Sequence, residues 1–190
     1  MTERLGILGG TFDPVHVGHL LAALEARHQL GLDRVLLVVA AEPWQKEGHV
    51  IAAAADRFDM VAAAVDEIDG LDPSRIEIDR GGPTYTVDTV ETLSKPGREI
   101  VLIVGEDVAA RIDGWHRGAD LRELVSLAVV GRGAGAEPPV GWSTAGVTMP
   151  RLDVSSSDIR ARIGRGAPID ALVPPGAVRI LAARRLYTPA

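Results

Sequence analysis

Short apolar runs alternate with amphipathic stretches of helical length along this chain, and that alternation restricts its fold more than any other feature. The runs RVLLVVA at residues 34–40 and IVLIV at 100–104 are almost continuously apolar and rich in β-branched residues. Continuously apolar runs of this length are typical of strands buried on both faces of a parallel sheet. Because the predicted strands of this chain alternate with predicted helices, we expect a Rossmann-like, doubly wound α/β fold with a parallel sheet.

The same patterns predict the individual elements. Strands are expected at residues 5–8, 34–40, 75–78, 100–104 and 127–130, with a further short strand at 147–150. Helices are expected at 20–30, 56–68, 84–93, 107–112, 120–124, 158–163 and 177–187. The Gly- and Pro-rich stretch 131–146 is predicted to be a surface loop. No repeat or linker interrupts the pattern, which predicts a single domain over residues 1–190.

Charge and composition exclude several classes of protein. Residues 1–150 hold 13 Lys/Arg and 23 Asp/Glu, a net charge of −10, whereas residues 151–190 hold seven Arg and three Asp, a net of +4. An acidic chain is a poor candidate for binding nucleic acid, and the absence of long apolar runs argues against a membrane. The lack of cysteine fits a cytoplasmic protein. A homo-oligomer stays open, because a helix face buried in a partner looks like one buried in a core.

The first predicted strand ends in GGTFDPVHVGH, residues 9–19. Ligands bind at this end of strands in such sheets. Gly9 and Gly10 let backbone N–H groups approach a phosphate, and the next helix adds its N-terminal amides. His16 and His19 are three residues apart, so both rings can reach one anion. A tight turn also explains the glycines, and a zinc pair or core packing also explains the histidines.

A second candidate anion site is the segment SSSDIR at residues 155–160. Three hydroxyls, the first-turn amides of a predicted helix and the guanidinium of Arg160 together suit phosphate oxygens. The segment also lies in the basic part of the chain. Helix capping alone explains one of the serines.

The two segments together resemble the signatures of a known superfamily. Residues 9–19 are similar to the T/H-x-G-H signature of the nucleotidyltransferases. Residues 155–160 are similar to their second signature, I-S-S-T-x-I-R, with Ser157 in the threonine position. The resemblance implies that both segments bind ATP.

Three further segments narrow the resemblance to the bacterial nicotinate-nucleotide adenylyltransferase family. PWQK at 43–46 is similar to the actinobacterial form of the family's P-P-H-K, and TYT at 84–86 is similar to its S/T-Y-T segment. GED at 105–107, followed by Trp115 and Leu121, resembles its G-x-D and W-x-x-x-x-x-L pattern. The resemblance covers the whole chain in the expected order.

The family resemblance implies that ATP and nicotinate mononucleotide give nicotinate adenine dinucleotide and pyrophosphate, a step of NAD biosynthesis. The attacking group is a phosphate monoester whose second pKa is about 6, so it is largely dianionic at neutral pH. No general base and no covalent intermediate is needed, and the task is alignment and charge stabilisation. Mg²⁺ is expected as an ion bridging the phosphates of ATP, without a protein-only site.

The resemblance gives four residues catalytic roles. His19 is expected at the α-phosphate, His16 at the phosphates beside it, and Arg160 at the β/γ side. Lys46 is expected to reach phosphates near the reacting centre. The residues implied to bind ATP are Gly9, Gly10, Thr11, Phe12, His16, His19, Gly105, Asp107, Ser156, Ser157, Ile159 and Arg160.

The pyridine nucleotide is implied to contact a second set of residues, Asp13, Lys46, Thr84, Tyr85, Thr86 and Trp115. Trp115 is expected to stack on the pyridine ring, and Thr86 with nearby amides to meet the carboxylate. Asp107 is expected at the adenosine ribose and Ile159 at the adenine. Taken alone, Asp107 is also explained as a helix N-cap and Trp115 as a core or surface tryptophan.

Two positions depart from the family pattern. Gln45 stands where the family has histidine, and Glu106 replaces a small residue, which places a carboxylate beside a phosphate pocket unless it points away. Three other functions stay open. Phosphopantetheine adenylyltransferases share both signatures but lack the tryptophan pattern, and cytidylyltransferases have an R-T-x-G-I-S-T-T segment that is not here. A non-catalytic nucleotide-binding module has no reason to keep His16, His19, Lys46 and Arg160.

Overall fold

A computed structural model of the chain describes residues 2–42, 52–131 and 139–188. Its strands are β1 (Glu3–Gly10), β2 (Arg34–Val39), β3 (Leu71–Ser74), β4 (Arg98–Gly105), β5 (Ser126–Gly131) and β6 (Thr144–Thr148). They form a six-stranded sheet in the order β3-β2-β1-β4-β5-β6, and the pairs β1–β4, β4–β5 and β5–β6 are parallel. The order reverses between β1 and β4, which is the switch point where ligands bind in doubly wound folds.

Helices connect the strands of this sheet. They are α1 (Val17–Leu30), α2 (Ala54–Val65), α3 (Ile76–Arg80), α4 (Thr86–Leu93), α5 (Glu106–Ala109), α6 (Gly118–Leu124), α7 (Ser156–Gly164) and α8 (Pro175–Arg184), with a 3-10 turn at Ile112–Gly114. The predicted fold class is confirmed. In the part of the chain that the structure describes, no helix is both long and apolar enough to cross a membrane.

The chain packs into two compact units, each assembled from three stretches. The first contains Met1–Gly9, Ala22–Leu36 and Tyr85–Arg151. The second contains Gly10–Leu21, Leu37–Thr84 and Leu152–Ala190. Each unit draws on distant parts of the chain, in keeping with the absence of an obvious linker, and a single-domain organisation stays a prediction.

The strands predicted from continuous apolar runs are the most buried ones. Residues 35–39 of β2 and 100–104 of β4 are all buried, as expected for strands with both faces covered.

At the amino ends of β1 and β4, the register places Glu3 opposite Arg98, and one carboxylate oxygen of Glu3 lies 2.9 Å from both Lys95 and Arg98. Hydrogen bonds from Lys95 and Arg98 lower the pKa of Glu3 to about 2, so the carboxylate stays ionised.

The prediction of a strand at residues 75–78 is wrong. Residues Ile76–Arg80 form α3, and the preceding strand is β3 at Leu71–Ser74. Glu77 is buried in α3, and Arg75 pairs with Asp79 one helical turn later, at 2.8 Å. The four-residue alternation was too short to distinguish a strand from a helix. The strand itself carries Pro73 at the sheet edge, where proline is tolerated but the pattern signal is weak.

The remaining differences concern element ends. The helix predicted at 107–112 divides into α5 and the 3-10 turn, and β6 begins at Thr144 inside the stretch predicted as a loop, of which 132–138 lie outside the described residues. The last helix ends at Arg184, three residues earlier than predicted. It ends because Arg185 adopts a left-handed conformation, φ 51°, which a helix cannot continue through.

Candidate active site

The loop between β1 and α1 is shaped by a buried aromatic ring. Phe12 is 2% exposed, and its φ of 51° is a left-handed conformation that is uncommon for residues other than glycine. A Cβ at Gly10 would lie 2.8 Å from the Phe12 ring, so this position requires glycine for close approach. Gly10 is therefore tightly packed at the end of β1, whereas Gly9 is exposed and has open space beside it. This strand end is where the sequence predicts phosphate binding.

His16 and His19 cap the start of α1 together. The carbonyl of His16 accepts the backbone N–H of His19 at 2.9 Å, and Nδ1 of His19 accepts the backbone N–H of His16 at 3.2 Å. The second of these bonds is one half of a capping box, in which the side chain at the third helical position accepts the N-cap N–H, here with histidine in the place of glutamate. The three-residue spacing of the two histidines is thus the spacing from the N-cap to the third helical position.

The side chains of this pair are packed face to face. The ring centroids of His16 and His19 are 3.6 Å apart with an interplanar angle of 23°, and the Phe12 ring meets His19 edge-on at 4.9 Å. A Cβ at Gly18 would lie 3.1 Å from Nδ1 of His16, so glycine leaves room for the ring. Because Nδ1 of neutral His19 accepts a hydrogen bond, its proton is on Nε2, which is a donor.

The two signature segments meet in the second unit. Ser156 donates its hydroxyl to the Pro14 carbonyl at 2.9 Å. Arg160 donates to the Asp13 carbonyl at 2.7 Å and to the Ser157 hydroxyl at 3.3 Å. The structure therefore brings together the segments that the sequence singled out, through bonds between residues 142 and 147 positions apart.

The remaining residues of the second signature have structural roles in α7. Ser155 is the N-cap, and its side chain accepts the Asp158 N–H at 3.1 Å. The capping explanation is therefore correct for this one serine. Ile159 is fully buried. The predicted contact of the Ile159 region with adenine stays a prediction.

Asp13 connects the parts of this site. Its carboxylate is buried, and Oδ1 accepts the Ala52 N–H at 3.1 Å and the Tyr187 hydroxyl at 2.6 Å. Oδ2 lies 3.6 Å from the Arg160 guanidinium. Burial raises the pKa of Tyr187, and its hydrogen bond to Asp13 raises it further, so the hydroxyl remains a donor. The contact of Asp13 with the pyridine nucleotide stays a prediction, since these bonds make its carboxylate part of the framework.

A buried arginine that the sequence analysis missed holds the surrounding loops. Arg57 in α2 is 1% exposed and donates to the carbonyls of Thr11, Ala40, Ala41 and Ala52 over distances of 2.7–3.1 Å. Burial lowers the pKa of its guanidinium, against the opposing charge of Asp13. A signal was present, because Arg57 continues the apolar stripe formed by Met60, Val61, Ala64 and Val65.

The end of β4 carries the residues predicted for the adenosine. Gly105 is the N-cap of α5, so Asp107 lies in the first turn and is exposed, and the N-cap explanation of Asp107 is wrong. Glu106 leans over the end of β5, because a Cβ at Gly131 would lie 2.0 Å from its carboxylate oxygen. The missing side chain at position 131 thus makes room for the carboxylate that departs from the family pattern.

The tryptophan predicted to stack on the pyridine is not a core residue. Trp115 is half-buried, whereas Trp142 is buried and donates to Asp113 at 2.9 Å. Next to Trp115, the His116 ring stacks on Tyr85 with a centroid distance of 4.1 Å. Within the first unit, Tyr85 of the T-Y-T segment therefore contacts the residue that follows Trp115, and stacking of Trp115 on the pyridine stays a prediction.

Other predicted residues are less constrained. Thr86 is the first residue of α4, and in the second unit Thr84 accepts the Glu42 N–H at 3.2 Å. Lys46 and Gln45, like the whole stretch 43–51, lie outside the described residues. Among the residues that are described, no cluster of three His, Cys, Asp or Glu side chains forms a metal site.

Known proteins resemble this chain over nearly its full length. It matches the family model described as cytidylyltransferase-like over residues 7–162. A relative from Corynebacterium kroppenstedtii is 42% identical over 193 residues, covering 98% of this chain and 92% of that protein. A relative from Frankia casuarinae is 45% identical over 186 residues, covering 95% and 98%. Both have the curated name "Probable nicotinate-nucleotide adenylyltransferase".

Solved structures share the fold. The Plasmodium falciparum nicotinic acid mononucleotide adenylyltransferase complexed with NaAD superposes with a TM-score of 0.80, covering 97% of each chain. The same enzyme complexed with APC gives a TM-score of 0.78. Sequence identities of 18% and 17% make this a likeness of fold alone.

Replacing Arg57 tests whether its guanidinium holds the loops of the site. Arg57→Ala leaves four carbonyls without their donor, so we expect a loss of about 3 kcal/mol or more in the free energy of unfolding. Urea denaturation measures it, with Arg179→Ala, an exposed position on α8, as the matched control within about 0.5 kcal/mol of the parent. A loss for Arg57→Ala as small as that of the control would contradict this role.

Proposed function

We propose that this chain, which belongs to the cytidylyltransferase-like family and within it to the nicotinate-nucleotide adenylyltransferases, transfers the adenylyl group of ATP directly to nicotinate mononucleotide. The 5′-phosphate oxygen of nicotinate mononucleotide forms a bond to the α-phosphorus of ATP. The bond from that phosphorus to the bridging oxygen of pyrophosphate breaks in line with it. The products are nicotinate adenine dinucleotide and pyrophosphate.

The hydrogen bond between Nδ1 of His19 and the backbone of His16 carries this proposal. It makes Nε2 of neutral His19 a donor, and packing against His16 and Phe12 holds the ring in place. A fixed donor that meets the α-phosphate stabilises charge that develops there, at no cost of reorganisation during the reaction. Direct attack needs such a donor and no nucleophilic side chain.

The second signature supports binding of the leaving phosphates. Arg160 is anchored by the Asp13 carbonyl and the Ser157 hydroxyl, which orient its planar donor fork. The first-turn amides of α7 add partial positive charge beside it. We propose that Arg160 and these amides hold the β- and γ-phosphates, with His16 and the Gly9–Thr11 turn at the phosphates nearer the reacting centre.

The substrate phosphate needs no base, since it is already ionised at neutral pH. Mg²⁺ would enter with ATP, bound by phosphate oxygens and water, and would neutralise charge on the departing pyrophosphate. The role proposed for Lys46, near the reacting phosphates, rests on the family resemblance.

The aromatic cluster of the first unit supports recognition of the pyridine. Trp115 offers a half-buried ring for stacking, and Tyr85 is held by its own stack on His116. Thr86 is the first residue of α4. The backbone N–H groups of a first helical turn donate hydrogen bonds and cannot accept them, which suits a carboxylate. We propose that these donors favour nicotinate over nicotinamide. Asp107, exposed after β4, is proposed for the adenosine ribose.

Pyrophosphate release from Mg-ATP tests the reaction, run in parallel with nicotinate mononucleotide, nicotinamide mononucleotide and phosphopantetheine. Hydrogen bonds to a charged group contribute about 1.5–3 kcal/mol each, so kcat/KM should favour the nicotinate substrate by more than about tenfold. Equal values for the two mononucleotides would contradict the carboxylate argument while keeping the reaction. Activity with phosphopantetheine alone would overturn the proposed substrate.

His19→Ala tests the proposed donor. Removal of one preorganised donor to a transition-state oxyanion lowers kcat about 10²–10³-fold, and we expect a loss of this size with an unchanged fold. His28→Ala, an exposed position on the same helix α1, is the control and should keep the parent rate. Circular dichroism of both variants checks the fold. Near-normal turnover by His19→Ala would remove this residue from its role.

A further inference from the structure

We infer that Tyr187, in the tail that follows α8, is a positioning residue of the transfer site, which acts on Arg160 through the carboxylate of Asp13. The inference rests on the proposed function for its meaning in catalysis. The contacts that carry the inference lie within the second unit. Nothing in the sequence pattern around Tyr187 points to the site, because Asp13 is 174 residues away.

The contact itself is specific. The Tyr187 hydroxyl donates to Oδ1 of Asp13 at 2.6 Å, a distance typical of hydrogen bonds to an ionised acceptor. Asp13 is buried, and the same Oδ1 also accepts the Ala52 N–H. The hydroxyl is therefore one of the groups that fix the orientation of this carboxylate.

The carboxylate in turn faces Arg160. One guanidinium nitrogen of Arg160 donates to the Asp13 carbonyl at 2.7 Å but lies 3.6 Å from Oδ2. This is an ion pair at long range and not the bidentate bond that arginine readily forms with a carboxylate. With Tyr187 and Ala52 holding Oδ1, the carboxylate is kept from turning both oxygens to Arg160. The guanidinium then keeps donors directed to an anionic ligand.

The tail adopts costly backbone conformations to reach this position. Arg185 and Tyr187 have φ values of 51° and 64°, in the left-handed region that disfavours residues with a Cβ. The preceding helix is fixed by Arg184, which bonds to Asp56 and, at 2.6 Å, to Asp59 of α2. The turn after α8 therefore starts from an anchored point and directs the Tyr187 ring back to Asp13.

If the hydroxyl is removed, Asp13 can rotate and close on Arg160, so fewer donors remain for the triphosphate. We therefore expect Tyr187→Phe, which keeps the ring, to weaken binding of the magnesium complex of α,β-methylene-ATP about tenfold. The KM for ATP should rise by a similar factor. Thr188→Ala is the matched control, because it removes a hydroxyl of the same tail whose bond, among the described residues, is a local one to the Arg185 carbonyl.

Isothermal titration calorimetry on the full chain separates positioning from stability. A merely structural role of Tyr187 would lower the melting temperature and the fraction of binding sites, and would leave the Kd of the intact sites unchanged. Positioning raises the Kd at unchanged stoichiometry. A Tyr187→Phe protein that binds the analogue like the parent and the Thr188→Ala control would overturn the inference.

A double-mutant cycle with Arg160→Lys identifies the route. Lysine lacks the planar fork, so if Tyr187 acts through Arg160, the Tyr187→Phe effect on Kd should fall below twofold in the Arg160→Lys background. Undiminished effects in both backgrounds would contradict this route. Failure of the proposed function is a separate result. A parent protein that binds the analogue but forms no nicotinate adenine dinucleotide would overturn the reaction, and the Kd comparison would still decide the role of Tyr187.

Discussion

One hydrogen bond, from the backbone N–H of His16 to Nδ1 of His19, determines what this site is able to do. It provides an acceptor for the backbone N–H of the N-cap residue of α1. It also sets the tautomer of the His19 ring, which the proposed reaction uses. The residues around this hydrogen bond leave room for the aromatic rings that hold the His19 side chain in place. Gly18 leaves space for the His16 ring, and Gly10 leaves space for Phe12, which meets His19 edge-on. The side chain that caps the helix is thus the one that we propose as the transition-state donor.

The charges beneath this pair are buried and paired. Arg57 carries a positive charge inside the second unit, and its guanidinium donates hydrogen bonds to backbone carbonyls. These bonds hold the loops, so the guanidinium is not available to a ligand. Asp13 carries the opposite charge and is bonded to Tyr187 and near Arg160. The two arginines differ for this reason: Arg57 is fully engaged by the fold, whereas Arg160 is anchored and only partly buried.

The sequence predicted those parts of the molecule whose cause is local. Continuous apolar runs identify buried strands. The three-residue spacing of His16 and His19 also matches the distance from an N-cap to the third helical position, but the sequence analysis interpreted it only as an anion site, a zinc pair or core packing. The edge strand at 71–74 was missed because its four residues carry little apolar signal. Arg57 was readable from its place in an apolar helical stripe. The hydrogen bond from Tyr187 to Asp13 could not be predicted from the sequence, because it joins residues near the two ends of the given chain. It also depends on positive φ angles at Arg185 and Tyr187, which neither residue type favours.

The direct character of the transfer is most sharply tested by its stereochemistry. ATP that carries sulfur in one configuration at the α-phosphorus is converted with nicotinate mononucleotide into the thio-analogue of nicotinate adenine dinucleotide, and the product configuration is read by phosphorus NMR. A single in-line displacement, aligned by His19 and Arg160 without a nucleophilic side chain, inverts the configuration. Retention would mean two displacements through an adenylylated enzyme, and would contradict the account.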